Sequence, residues 1–161
     1  MRAITIANLA AIALLAASLT AAAQDGGALS SNTGIITKAS KYPVTETIDR
    51  LETAVKKADG IQIFARIDFQ ALAATQGGKV RPGQLLIFGG GRLAQPFLSA
   101  APTAAIDLPI KVLAWEDESG KVWVSYNTGD YLKDRHAIKG RDEFLRRFTE
   151  LSESFVSKAR E

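Results

Sequence analysis

The chain has 161 residues, 47% of them hydrophobic and 23% charged, with 20 Lys and Arg against 17 Asp and Glu. A formal net charge of +3 is too small to mark nucleic acid or an anionic surface as the main partner. The absence of Cys excludes disulfides, thiolate metal sites and cysteine nucleophiles, and a single His limits what metal or Ser-His chemistry can be built.

The chain begins with a basic residue, Arg2, an apolar run from Ile4 to Leu19 and then Ala21-Ala22-Ala23. This is the order of a secretory signal peptide, with cleavage expected after Ala23 and a periplasmic or secreted product. Gln24, Asp25 and Gly26 follow without a cationic flank, so no stable membrane anchor is expected, and no Cys is present to carry a lipid. Residues 24–33 are small and polar and read as a flexible leader. Residues 34–161 then form one domain, long enough to bury a core without covalent staples.

Ile35, Ile36 and Thr37 predict a short strand. After Tyr42-Pro43, the spacing of Val44, Ile48, Leu51, Val55 and Ala58 predicts a helix, stopped by Gly60. In IQIFARIDF, Ile61, Ile63, Ala65 and Ile67 alternate with Gln62, Phe64, Arg66 and Asp68, which predicts a strand with one core face. Phe69 to Ala74 predict a short helical turn, followed by the breakers Gln76-Gly77-Gly78 and Arg81-Pro82-Gly83. Gln84 to Phe88 read as a strand covered on both faces. Gly89-Gly90-Gly91 turn the chain into a helix from Arg92 to Ala100.

The stretch from Ile110 to Asn127 is the strongest local signal. Two runs rich in β-branched and aromatic residues flank Asp117, Glu118, Ser119 and Gly120, the chemistry of a hairpin turn. Ile110, Val112 and Ala114 share one face with Val122, Val124 and Tyr126, while Leu113, Trp115 and Trp123 share the other. Because both faces carry apolar bulk, the outer one is expected to meet a second copy of the chain, giving a homodimer. Asp130 to Arg135 predict a helical turn, and a last helix from about Arg141 carries Phe144, Phe148, Leu151, Phe155 and Ala159. This order is α+β: a mainly antiparallel sheet with helices packed on one face, a two-layer sandwich.

The combination of Arg66-Ile67-Asp68, Arg81-Pro82, Leu86-Ile87-Phe88-Gly89, Asp107-Leu108-Pro109-Ile110-Lys111-Val112-Leu113, Glu116-Asp117, Gly120-Lys121-Val122-Trp123 and Ser125-Tyr126-Asn127 with Tyr131-Leu132 resembles the family catalogued as domain of unknown function 302. The resemblance covers nearly the whole domain. It implies a compact α+β fold seen as dimers and no established activity. The chain departs from it at two places: Phe69 stands where members commonly carry His, and Phe88-Gly89-Gly90-Gly91-Arg92 stands where they commonly read Phe-Gly-Asn-Pro-Lys. A role for that His does not pass to Phe69, and only the positive charge of the loop survives, as Arg92.

Gly89, Gly90, Gly91 and Arg92, between a strand and a helix, are the candidate ligand-binding loop, with Asp107 beside them. Bare amides at a helix N-terminus favour an anion, although the spacing matches neither a P-loop nor a dinucleotide fingerprint. The same glycines could serve only a tight turn with positive φ. Asp68, Asp107 and His136 are the candidate acid/base groups. The acids Glu116, Asp117 and Glu118 read as a solvated turn, and Trp115 and Trp123 as a cross-strand packing pair. No cofactor motif and no metal-ligand cluster stands out. The favoured reading is an exported, non-enzymatic binding or accessory domain, homodimeric, holding a small anionic or amphipathic ligand. The alternative is a hydrolase or lyase using the carboxylates and His136.

Overall fold

A computed structural model describes residues 33–161. The expected signal peptide, and all but the last residue of the expected leader, lie outside the described residues. Strands β1 (Ile35–Ala39), β2 (Gln62–Asp68), β3 (Gly83–Gly89), β4 (Ile110–Glu116) and β5 (Val122–Asn127) form one antiparallel sheet in the order β1-β5-β4-β3-β2. Helices α1 (Val44–Lys56), α2 (Phe69–Ala74), α3 (Gly91–Ala100), α4 (Gly129–Arg135) and α5 (Asp142–Arg160) complete the α+β fold, with a 3₁₀ turn over Pro102–Ile106.

Helix α1 buries Val44, Ile48, Leu51 and Val55, one residue per turn, against β2, β3 and β4. Helix α5 packs beside it and on β5. Phe155 of α5 meets Phe88 of β3 edge to face at 5.4 Å, and Phe148 meets Phe97 of α3 in the same way at 5.7 Å. These ring pairs lock sheet, α3 and α5 together. The buried side of α5 is Leu145, Phe148, Ser152, Phe155, Val156 and Ala159, whereas Phe144 is 38% exposed. At 100° per residue the real stripe is rotated by about 50° from the predicted one, which turns Phe144 and Leu151 to its edge.

The β4–β5 hairpin follows the predicted faces. Val112 lies opposite Tyr126 and Trp115 opposite Trp123; Ile110, Val112, Ala114, Val122, Val124 and Tyr126 are buried under the helices. Leu113, Trp115 and Trp123 are half-buried on the far face, where the two indoles stack at 6.4 Å and 27°. Asp117 is more than a solvated turn acid. Its carboxylate accepts hydrogen bonds from the Ser119 amide and hydroxyl, the Lys121 amide and Trp123 Nε1. The hydroxyl and indole donors above all hold its carboxyl well below the usual carboxylate range.

Two strands correct the sequence-based expectation. In β2 the register slips between Ile63, opposite Phe88, and Ala65, opposite Ile87, leaving Phe64 as the extra residue of a bulge. Ile63 faces the helices, but after the bulge Arg66 and Asp68 take that side, and Ala65 and Ile67 turn to the far one. β3 is not doubly covered: Leu86 and Phe88 are buried beneath the helices, and Leu85 and Ile87 are half-buried on the opposite face. That face therefore displays Ile67, Leu85, Ile87, Leu113, Trp115 and Trp123 together.

Candidate functional site

The bulge explains how Arg66 and Asp68 are used. Arg66 donates to Asp49 and Glu52 of α1 at 2.6 and 3.2 Å, and its Nε and Nη2 donate to Gln84 Oε1 at 3.1 and 2.7 Å. The buried Gln84 amide donates in turn to Asp68 and Thr45. The other Asp68 oxygen caps α2 by accepting from the Ala71 amide at 2.9 Å. Asp68 is thus a structural acceptor at the start of α2.

His136 and Asp107 do meet. Nε2 of His136 lies 2.7 Å from Asp107 Oδ2, and Nδ1 lies 3.0 Å from the Thr103 hydroxyl. Arg135 Nε approaches the same carboxylate oxygen at 3.1 Å. The His136 side chain is only 5% exposed, so the pair binds the end of α4 to the 3₁₀ turn. Asp68 is not part of this group. It sits opposite Gln84 at the start of β3, whereas Asp107 lies beyond Ile110, opposite Phe88 at its end. Four residues of strand separate these positions, on the order of 13 Å along the strand axis. The three candidate acid/base groups therefore divide between opposite ends of the sheet.

The glycine loop borders a cleft. A cavity of about 380 Å³ is walled by Gly89, Gly90 and Gly91 together with Phe64, Leu93, Leu98, Leu108 and Pro109; its polar side chain is Gln62. The bulge carries Phe64, 53% exposed, to the rim. Gly90 is the N-cap of α3, with no side chain to cap the first amides. Its φ is −160°, so it is extended, and the positive-φ turn expected from the sequence is not what requires glycine here. A Cβ on Gly90 would sit far inside 3.0 Å of the Gly60 carbonyl oxygen, and one on Gly89 would press on Pro109. Close backbone approach, not torsion, selects these two glycines. Arg92 is exposed and does not line the cleft, nor does the Asp107 carboxylate.

Asp107 contributes to the cleft through its backbone. Lys111 Nζ donates to the carbonyls of Asp107 at 2.9 Å and Pro109 at 3.3 Å, pinning the Leu108-Pro109 wall. Burial pushes the Lys111 ammonium below its ordinary value, with Asp107 opposing. Phe64, Leu93, Leu98 and Thr103 were missed as site residues. Phe64, a large apolar side chain at a polar position of an alternating strand, was the available signal.

The molecule is thus a two-layer α+β domain with an apolar cleft at the β3–α3 junction, and no helix among the described residues is long and apolar enough to cross a membrane. The family model described as domain of unknown function DUF302 matches residues 36–155, and the chain belongs to that family. It is 38% identical over 107 residues to fluoride-specific ion channel FluC 1 of Brucella suis biovar 1 (strain 1330), covering 66% of this chain and 42% of that protein. Fluoride-specific ion channel FluC 2 of Brucella melitensis biotype 1 is similar to the same degree, with 39% of its length covered. The chain spans about two-fifths of the length of these curated relatives. The crystal structure of an uncharacterized conserved DUF302 protein from Bacillus stearothermophilus superposes with a TM-score of 0.61 at 17% identity, covering 79% of this chain and 95% of that one. It shares the fold.

Proposed function

We propose that the protein is an exported, non-enzymatic accessory domain that holds a small amphipathic anion in the β3–α3 cleft. The observation that carries this reading is the cleft itself: an apolar cavity of about 380 Å³ whose wall includes the backbone of Gly89, Gly90 and Gly91 at the start of α3. Its size falls in the range of small-molecule sites, about 300–1,000 Å³. An apolar tail would lie against Phe64, Leu93 and Leu98, and an anionic head would take the first amides of α3, with Arg92 attracting it from the surface. The relatives support the accessory part of the reading, because in those channel proteins the counterpart of this fold is one portion of a longer chain. The face bearing Leu113, Trp115 and Trp123 supports a homodimer, since a second copy would take its apolar surface out of water.

A hydrolase or lyase is the second reading, favoured by one observation: His136 is held between Asp107 and Thr103. The separation of Asp68 from that pair weighs against it. A thermal-shift series with octanoate, octanol and acetate separates the cases. Octanoate should raise the melting temperature of the wild type more than octanol does. Phe64→Ser should weaken both responses, and Arg92→Ala should reduce the octanoate advantage. Wild type unmoved by octanoate up to millimolar concentration would end the binding reading, and ester hydrolysis abolished by His136→Ala would replace it with the catalytic one.

A further inference from the structure

The side of α1 remote from the sheet presents a second feature, at the opposite layer of the molecule from the uncovered sheet face. Arg50, Thr53, Ala54 and Lys57 follow one another at helical spacing along α1, and with Asp49 and Lys158 of α5 they line a groove of about 530 Å³. Three of these six residues are cations. The lone acid, Asp49, is already engaged by Arg66 at 2.6 Å. Arg50, Lys57 and Lys158 form no ion pair among the described residues, although Lys56 beside Lys57 pairs with Glu52 and Arg160 near Lys158 pairs with Glu161. Like charges facing one groove repel, so this arrangement is most favourable when an anion stands between them.

Arg50 is the distinctive member. Its guanidinium lies 3.9 Å from the centre of the Tyr42 ring, and Tyr42 is itself fixed because its hydroxyl donates to the Glu161 carbonyl at 3.0 Å. The guanidinium is therefore oriented before any ligand arrives. It makes no hydrogen bond to a described residue, and its Nε is closed off from solvent without a partner. The buried Nε is not open to a ligand, but the terminal nitrogens, with no acceptor among the described residues, leave N–H donors for one in the groove that Arg50 lines. Planar bidentate donation suits the oxygens of a phosphate group, and two flexible ammonium groups suit its remaining charge.

We propose that the α1–α5 groove is a second binding site, separate from the β3–α3 cleft, which takes the phosphate group of a ligand on Arg50, Lys57 and Lys158. That chemistry is offered both by a free phosphorylated molecule and by the headgroup of an anionic phospholipid. The test is an amide-shift titration of the full domain with inorganic phosphate, with potassium chloride at matched ionic strength as control, repeated on Arg50→Gln and Lys158→Gln. Vesicle flotation on phosphatidylcholine with and without phosphatidylglycerol forms the second arm. Saturable shifts at residues 50, 53, 57 and 158 are expected with phosphate alone, weakened about tenfold in each variant, as loss of one charge-assisted contact implies. Lys158 is exposed, so Lys158→Gln keeps the test decisive if Arg50→Gln proves unstable. Flotation with phosphatidylglycerol that Lys158→Gln abolishes, without response to free phosphate, assigns the site to a lipid headgroup. No saturable shifts, shifts that chloride reproduces, or shifts that both variants retain, together with no variant-sensitive flotation, overturn the proposal.

Discussion

Replacing Gly90 by Ala should destabilise the domain while replacing Gly91 by Ala should not, although the two residues are adjacent and chemically identical. At Gly90 a Cβ would lie far inside 3.0 Å of the Gly60 carbonyl oxygen and 3.2 Å from its carbon, so a backbone segment must move. Forced overpacking of this kind costs about 1–3 kcal/mol. Backbone is less yielding than a side-chain end, which places Gly90→Ala near the upper part of that range. At Gly91 nothing lies within 4 Å of the added methyl group, and the residue opens α3. There the lower chain entropy of Ala should leave stability unchanged or raise it by up to about 1 kcal/mol. Urea unfolding followed by Trp fluorescence reads both values, and in a domain of this size 1 kcal/mol corresponds to roughly 3–5 °C in melting temperature. A Gly90→Ala protein within about 0.5 kcal/mol of wild type would refute the claim that the Gly60 carbonyl selects this glycine, because no torsional penalty exists at φ −160° to substitute for it.

Two further outcomes are expected. Burial pushes the Glu153 carboxyl up, but hydrogen bonds from Lys38 and from the Tyr126 hydroxyl outweigh it and hold the group below its ordinary value of 4.5; a folded-state value depressed in this way gives stability that is present above 4.5 and lost as the pH falls through the lower folded value. Chemical denaturation across that window should show acid destabilisation that Lys38→Met flattens, and an unchanged slope in that variant would remove Lys38 from the account. Light scattering at micromolar concentration should find a dimer for wild type and a monomer for Leu113→Lys, whereas a monomeric wild type would show that the far face of the sheet is stable uncovered.

How legible the fold was depended on whether periodicity alone could decide. Helix α1 and the hairpin were readable because their apolar residues fall on one face at one regular spacing, and nothing interrupts it. Strand β2 was not, since the alternation from Ile61 to Asp68 is unbroken in the sequence while the ladder is broken at Phe64. A bulge leaves the pattern of residue types intact and inverts its meaning, because every side chain after it changes face. Ala65 and Ile67 therefore looked like core, and Arg66 and Asp68 looked like solvent, when the reverse pair faces α1. The error on β3 has a related origin: a run such as Leu85, Leu86, Ile87 and Phe88 is equally compatible with burial on both faces and with one apolar face left for a partner.

The site was half legible for a different reason. That Gly89 to Gly91 border a cleft follows from their place between a strand and a helix, and sequence position supplies that. Which side chains complete the wall does not follow, because Phe64 arrives from an edge strand by way of the bulge and Leu98 from the far end of α3. The same distinction separates the acids. Asp107 and His136 are 29 residues apart and converge only because α4 returns beside the 3₁₀ turn. Asp68 and Asp107 read as equivalent carboxylates flanking strands, yet antiparallel pairing through β3 sends them to opposite ends. The bulge that carries Asp68 and Arg66 inward as structural groups is also the one that leaves Phe64 at the rim of the cleft. One inserted residue thus turns a candidate acid into a structural acceptor at one end of the sheet and supplies an apolar wall to the cleft at the other.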